Sequence, residues 1–227
     1  MRVVLVCFFI ALGVLFFSKN ILAHEDLGMP QVTGPQVNEA VGEITPLRFA
    51  AGSNLAYLVR IKESITHFFK PSSAKKAEYD LRIAGKRLNE AYILTNEKKS
   101  SKAVGSSKSY KKLMDRMAHE FEKARSQNQD IAGLIGTTAD VLKYHEVLLA
   151  KMYSISDEDE NYYNAMADSI KSFKQTVIVI NKIQPGLSDR FESVKNLKPK
   201  ETEEPKESQS TPSVYFSPSP SPRKIIY

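Results

Sequence analysis

The chain has 227 residues, with 32 Lys+Arg against 26 Asp+Glu and a formal charge of +6. Its 10 glycines, its lack of tryptophan and its 42% hydrophobic content exclude a glycine-rich fibre and a wholly disordered chain. It holds a single apolar run that could meet a bilayer, which excludes a polytopic membrane protein.

Met1-Arg2 is a short basic start, and Val3 to Phe17 is an unbroken apolar run of 15 residues. Ser18-Lys19-Asn20 ends the run and Ile21-Leu22-Ala23 follows, the layout of a secretory signal peptide over residues 1–23. Fifteen helical residues reach roughly 22 Å, short of the roughly 30 Å hydrocarbon core. A cut after Ala23 leaves the bulky Ile21 three positions before it, so an uncleaved anchor is the alternative. Cys7, the sole cysteine, lies inside this segment. A processed chain then has no disulfide, thiolate metal site or cysteine nucleophile.

Residues 24–46 hold Gly28, Pro30, Gly34, Pro35, Gly42 and Pro46, which predicts a disordered, exposed linker. Residues 47–198 then form one domain with helical apolar spacing throughout. Leu58, Ile61, Ile65 and Phe68 predict one buried face of a helix over about 53–69, stopped by Pro71. Ser72 or Ser73 caps a second helix on Ala77, Leu81, Ala84, Leu88 and Ala91, ending near Glu97 at a Ser/Gly/Lys loop. Glu78–Arg82, Lys86–Glu90 and Arg87–Glu90 are spaced to pair along it. Tyr110, Met114, Met117, Phe121 and Ala124 mark a third helix. After a break at Asn128-Gln129, a fourth runs through Ile131, Ile135, Thr138, Leu142, His145, Leu149 and Met152. Its Gly133 and Gly136 either weaken it or permit close helix approach. Ser156-x-x-Asp159 resembles a capping box for a fifth helix on Tyr163, Met166, Ile170, Phe173, Val177 and Ile180. Pro185-Gly186 stops that helix, and Leu187, Phe191 and Val194 suggest a last short one capped by Ser188. Residues 199–227 are a Pro/Ser-rich tail, either spacer or recognition segment, predicted to be disordered. The predicted fold is all-α: an antiparallel bundle of about five main helices, with Leu81, Leu88, Phe121 and Leu149 in its core.

Several of these residues also carry a resemblance. Pro46-Leu47 comes first, followed by the Leu55–Phe69 helix and its Phe-Lys-Pro break. Next come Lys76-Ala77-Glu78-Tyr79-Asp80-Leu81, Ala84 and Arg87-Leu88-Asn89-Glu90-Ala91, and later His145-Glu146-Val147-Leu148. Together, over roughly residues 46–183, they resemble a helical domain of unknown function found in bacterial exported proteins. The chain departs from that pattern at Gly85, where the family has a better helix former, and in its Gly-containing fourth helix. The resemblance implies an extracytoplasmic all-α domain and carries over no activity and no site residues.

Catalytic and metal motifs are not matched. His119-Glu120 and His145-Glu146 begin like a zinc-protease motif, but the second ligand position is Lys123 in one and Leu149 in the other. His145 reads as a packed histidine bonded to a neighbour. Asp157-x-Asp159-x-Asn161 starts like a calcium loop, yet Tyr162 replaces its glycine and Asp168 its last glutamate. No catalytic residue, metal ligand or cofactor is assigned. The one charge asymmetry is basic: Lys70 to Lys112 holds 12 Lys+Arg and 4 Asp+Glu, against 11 and 13 from Leu113 to Lys198. Lys98, Lys99, Lys102, Lys108, Lys111 and Lys112 are the candidate contacts for an anionic surface. No aromatic interleaving supports a nucleic-acid partner, so the expected partner is an anionic membrane surface or cell-wall polymer. The expected function is an exported, non-enzymatic module that binds or spaces at the bacterial cell surface. The alternatives are a membrane-anchored extracytoplasmic sensor domain and an enzyme with a dispersed site.

Overall fold

Four long helices carry unbroken apolar seams, and the architecture follows from closing those seams on one another. The computed structural model describes residues 26–44, 46, 55–156 and 159–195. Among them are α1 (Gly34–Glu43), α2 (Leu55–Phe68), α3 (Ser73–Asn96), α4 (Ser100–Ser126), α5 (Ala132–Tyr153), α6 (Glu160–Ile183) and α7 (Glu192–Lys195), with one 3-10 turn and no strand. The expected signal segment 1–23 and tail 199–227 lie outside the described residues.

The α3, α4, α5 and α6 helices form the bundle, and the consecutive ones are antiparallel, as expected from their short connections. Side by side, α4 runs parallel to α6: the Ser107 carbonyl accepts from Ser169 Oγ at 3.1 Å, and the Met114 carbonyl from Thr176 Oγ1 at 3.2 Å. The predicted seams are the observed ones. Every seam residue named for α3 to α6 is buried, including Leu81, Leu88, Phe121 and Leu149. Small residues let α3 pack closely, since Ala77, Ala84 and Ala91 alternate with Leu81, Leu88 and Leu94 along one stripe.

The Ser/Gly/Lys loop expected after Glu97 is a helix instead. The turn is confined to 97–99, where Lys98 takes a left-handed φ of 57° and Lys99 N–H donates to the Leu94 carbonyl at 2.8 Å. That bond across six residues closes α3 as a Schellman turn. Asn128, with φ 52°, closes α4 in the same way. The extra three turns of α4 form because Ala103, Ser106, Ser107 and Tyr110 recur at helical spacing and are buried. Tertiary packing thus outweighs the weak local propensity of a Ser/Gly/Lys stretch.

The expected linker 24–46 is also partly structured. Pro35 sits in the first turn of α1, where its missing N–H costs nothing. Gln36 Oε1 accepts from Thr33 N–H at 2.8 Å. Leu27, Val37, Ala40 and Ile44 join the core, and the buried Lys174 Nζ donates to the Leu27 carbonyl at 2.6 Å. Two expected caps differ as well. Asp159, not Ser156, caps α6, accepting from Tyr162 N–H at 3.1 Å, while Ser156 Oγ turns back to the Tyr153 carbonyl. Ser188 opens only a 3-10 turn, and Glu146 Oε1 anchors the start of α7 by accepting from Ser193 N–H at 2.8 Å.

The glycines separate into two kinds. A Cβ at Gly133 or Gly136 would meet nothing within 4 Å, so neither permits a close helix approach. A Cβ at Gly85 would lie 3.3 Å from both His145 Nε2 and Ile44 Cγ2. The departure at this position therefore makes room for the buried histidine. Gly105 on α4 has open space. Gly105→Ala should raise stability by about 0.5–1 kcal/mol, the usual helix-interior gain. Gly85→Ala should show no such gain, because the added methyl presses on His145 and Ile44. Urea midpoints of the two variants check this contrast.

Candidate surface-binding face

The α2 helix is turned inside out relative to its neighbours. The stripe expected to face the core faces outward: Leu58 is 62% exposed, Ile61 41%, Ile65 55% and Phe68 75%, with Phe69 beyond it at 76%. Phe68 and Phe69 meet edge to face, ring centroids 5.4 Å apart. The opposite face, carrying Arg60, Glu63 and His67, lies against α3.

The cause lies on α3. Its apolar stripe is committed to the bundle, yet Asp80, Arg87 and Glu90 on another face are also buried. Buried charges need partners; α2 supplies them for Arg87 and Glu90, and α4 supplies the main one for Asp80. Arg87 bonds Glu63 through Nη2 and reaches Glu90 Oε2 through Nη1 at 3.3 Å. Arg60 Nη2 lies 3.6 Å from Glu90 Oε2, and Lys86 Nζ 3.6 Å from Glu63 Oε1. Further along, Arg116 grips Asp80 with two bonds, the Nε one at 2.7 Å, and His67 Nε2 sits 3.3 Å from Asp80 Oδ2. Burial pushes the Asp80 carboxyl above its usual range, and Arg116 opposes that shift. Burial likewise lowers His67, against the pull of Asp80. Of the pairs read from helical spacing, Arg87–Glu90 forms. Lys86 turns to Glu63 instead, Glu78 pairs with Lys75, and Arg82 lies over the Tyr79 ring.

The six candidate lysines are spread over the α3–α4 turn and the start of α4. Lys98 and Lys99 are in the turn, and Lys102, Lys108 and Lys112 are solvent-facing on α4. Two are already paired, Lys99 with Glu97 at 2.7 Å and Lys111 with Asp115 at 2.8 Å. Lys112 also lines a groove of about 170 Å³ between α2, α3 and α4, together with Arg60, Tyr79, Arg87 and Arg116. The basic side of α4 thus adjoins the α2 ledge, a juxtaposition the sequence did not signal.

Elsewhere several ionisable groups are used internally. His145 is fully buried, its Nδ1 3.3 Å from Tyr110 Oη, and burial lowers its pKa to about 3. A cleft of about 550 Å³ beside α1 and α5 collects Glu39, Asp140, Glu146 and Glu192. Within it Asp140 pairs with Arg190 and Glu146 is held by Ser193. Asp159 of the calcium-like stretch is the α6 cap, and Asp157 lies outside the described residues. Among the described residues no three His, Cys, Asp or Glu side chains converge as metal ligands. No described helix is long and apolar enough to cross a membrane.

The sequence profile of a family described as Domain of unknown function (DUF5667) matches residues 51–198. No curated protein and no solved structure matches the chain.

Leu88→Ala in the core should cost roughly 2–5 kcal/mol, whereas Ile65→Ala on the exposed stripe should change the urea midpoint by less than about 0.5 kcal/mol equivalent. Equal losses would show that the α2 stripe is packed after all. Stability should also depend on pH through His145. The imidazole titrates near 6.5 in the unfolded chain and near about 3 when folded. The unfolded state therefore binds the extra proton, and stability is lost progressively as pH falls from 6.5 towards 3. The loss is on the order of 4–5 kcal/mol at the acid end. Asp80, with its raised pKa, works in the opposite sense in the acid range. Urea midpoints across this range should fall less steeply for His145→Gln.

Proposed function

The chain belongs to the DUF5667 family, and from that premise we propose that it is an exported helical module that attaches non-catalytically to an anionic cell surface. The observation that carries this reading is the basic end of α4. Lys102, Lys108 and Lys112 project to solvent over about 15 Å of helix, next to Lys98 in the turn. The C-terminal half of the domain is nearly neutral, with 11 basic and 13 acidic residues from Leu113 to Lys198. A one-sided field of this kind draws a protein towards anionic headgroups or polymers and is screened over about 8 Å at physiological salt. Each lysine near a negative membrane adds about 1 kcal/mol. The pairing of Lys99 and Lys111 reduces their share. Export is supported by the basic start and apolar run of residues 1–23. Retention of that run would make the same module a membrane-anchored one, and mass spectrometry of the native N-terminus distinguishes the two forms.

The test is co-sedimentation of residues 24–227 with anionic vesicles, neutral vesicles and an anionic wall polymer, at low and high salt. Binding should require negative charge and weaken steeply with salt. Reversing Lys102, Lys108 and Lys112 to glutamate should remove it while leaving helicity unchanged. A protein that ignores every anionic surface at low salt would end this reading.

A further inference from the structure

The α2 stripe demands an occupant, and its surroundings say which. Five large apolar side chains, Leu58, Ile61, Ile65, Phe68 and Phe69, stand exposed along a helix of 14 residues, about 21 Å long. They form a raised line rather than a bowl, because the helix rests on α3 by its polar side. The single acidic residue of α2, Glu63, is turned inward to Arg87 and Lys86. The exposed Lys62 is therefore left beside the stripe, while Lys70, just past its end, lies over the Tyr79 ring at 5.1 Å. Lys112 lines the groove behind it, where Arg116 is already bonded to Asp80. A second copy docked stripe to stripe would bring these cations against their own equivalents. An anionic bilayer meets both features at once. Its acyl boundary takes the apolar side chains, and its phosphates take the cations, with lysine stems lying along apolar surface and their ammonium groups reaching outward.

We infer that α2 is a membrane-entering element: its outward stripe lies in the headgroup–acyl boundary of an anionic bilayer, with Lys62 at the phosphate level. This deepens the surface-binding reading, on which it rests, by naming lipid as the surface and α2 as the part that goes in. The ionic seam with α3 keeps the helix docked while the stripe is immersed, so entry requires no unfolding of the core.

The chain has no tryptophan, so Phe68→Trp provides a single reporter. The full chain carrying it is mixed with phosphatidylglycerol or phosphatidylcholine vesicles, with and without brominated acyl chains. The expected result is a blue-shifted emission and several-fold stronger bromine quenching in phosphatidylglycerol, with neither seen for a control Thr137→Trp reporter on the solvent face of α5. Adding Ile61→Asp and Ile65→Asp should abolish the shift with circular dichroism and the urea midpoint unchanged, since both side chains are exposed. If lysine-dependent binding persists while the reporter at position 68 stays unshifted and unquenched, the inference about α2 fails and the surface-binding reading stands. If the chain binds no anionic surface, both fail. A shift without vesicles overturns the lipid assignment: one that grows with protein concentration assigns the stripe to a second copy, and one independent of it to the apolar segment Val3–Phe17. Equal quenching in phosphatidylcholine overturns the role given to charge.

Discussion

The buried charges of α3 are the constraint on which the rest of the arrangement depends. Asp80, Arg87 and Glu90 are buried within a helix whose apolar stripe is already committed to the bundle. Removing one partner from such a set leaves an uncompensated buried charge, at a cost of several kcal/mol. The helix laid over them must therefore present Arg60, Glu63 and His67 downward. An α-helix cannot point both of its faces the same way, so satisfying the charges forces Leu58, Ile61, Ile65 and Phe68 out into water. The exposed stripe is a consequence of polar satisfaction beneath it.

The apolar core of the bundle below is closed without any described residue of α2. Its four long helices close on one continuous core, and its flanking pieces are fastened by buried polar clasps. Lys174 holds the Leu27 carbonyl, Glu146 holds Ser193, and Gln129 Oε1 accepts from Ala74 N–H at 3.0 Å at the start of α3. Each clasp satisfies a backbone group that would otherwise be left short of a partner. Apolar packing thus sits mainly in α3 to α6, while α2 and the start of α4 carry exposed apolar and basic side chains. Contacts made by ion pairs fix the placement of α2 more than they add net stability.

His145 adds an acid sensitivity to this platform. It lies within the core against Tyr110, and Gly85 leaves the space its Nε2 edge occupies. A neutral imidazole fits there better than a charged one, because burial disfavours the charge and, among the described residues, no acidic side chain is bonded to the ring. The glycine that reads as a weak point of α3 is thus part of the packing of a histidine on α5.

By itself the sequence determined the all-helical class, the turn at Asn128-Gln129, the stop at Pro185-Gly186 and each seam residue of α3 to α6. Repetition at three and four residues has one economical solution in a chain this length. Only the tertiary structure decided the rest. The Ser/Gly/Lys stretch became helix because Ala103, Ser106 and Ser107 found neighbours to pack against. Residues 34–43 became a helix of the core because Val37 and Ala40 did the same. The direction in which α2 faces was hidden for a deeper reason. Periodicity reports that a helix has an apolar side, but which side is buried depends on what lies opposite. Here α3 presented buried charges, and the polar side of α2 was the one able to match them.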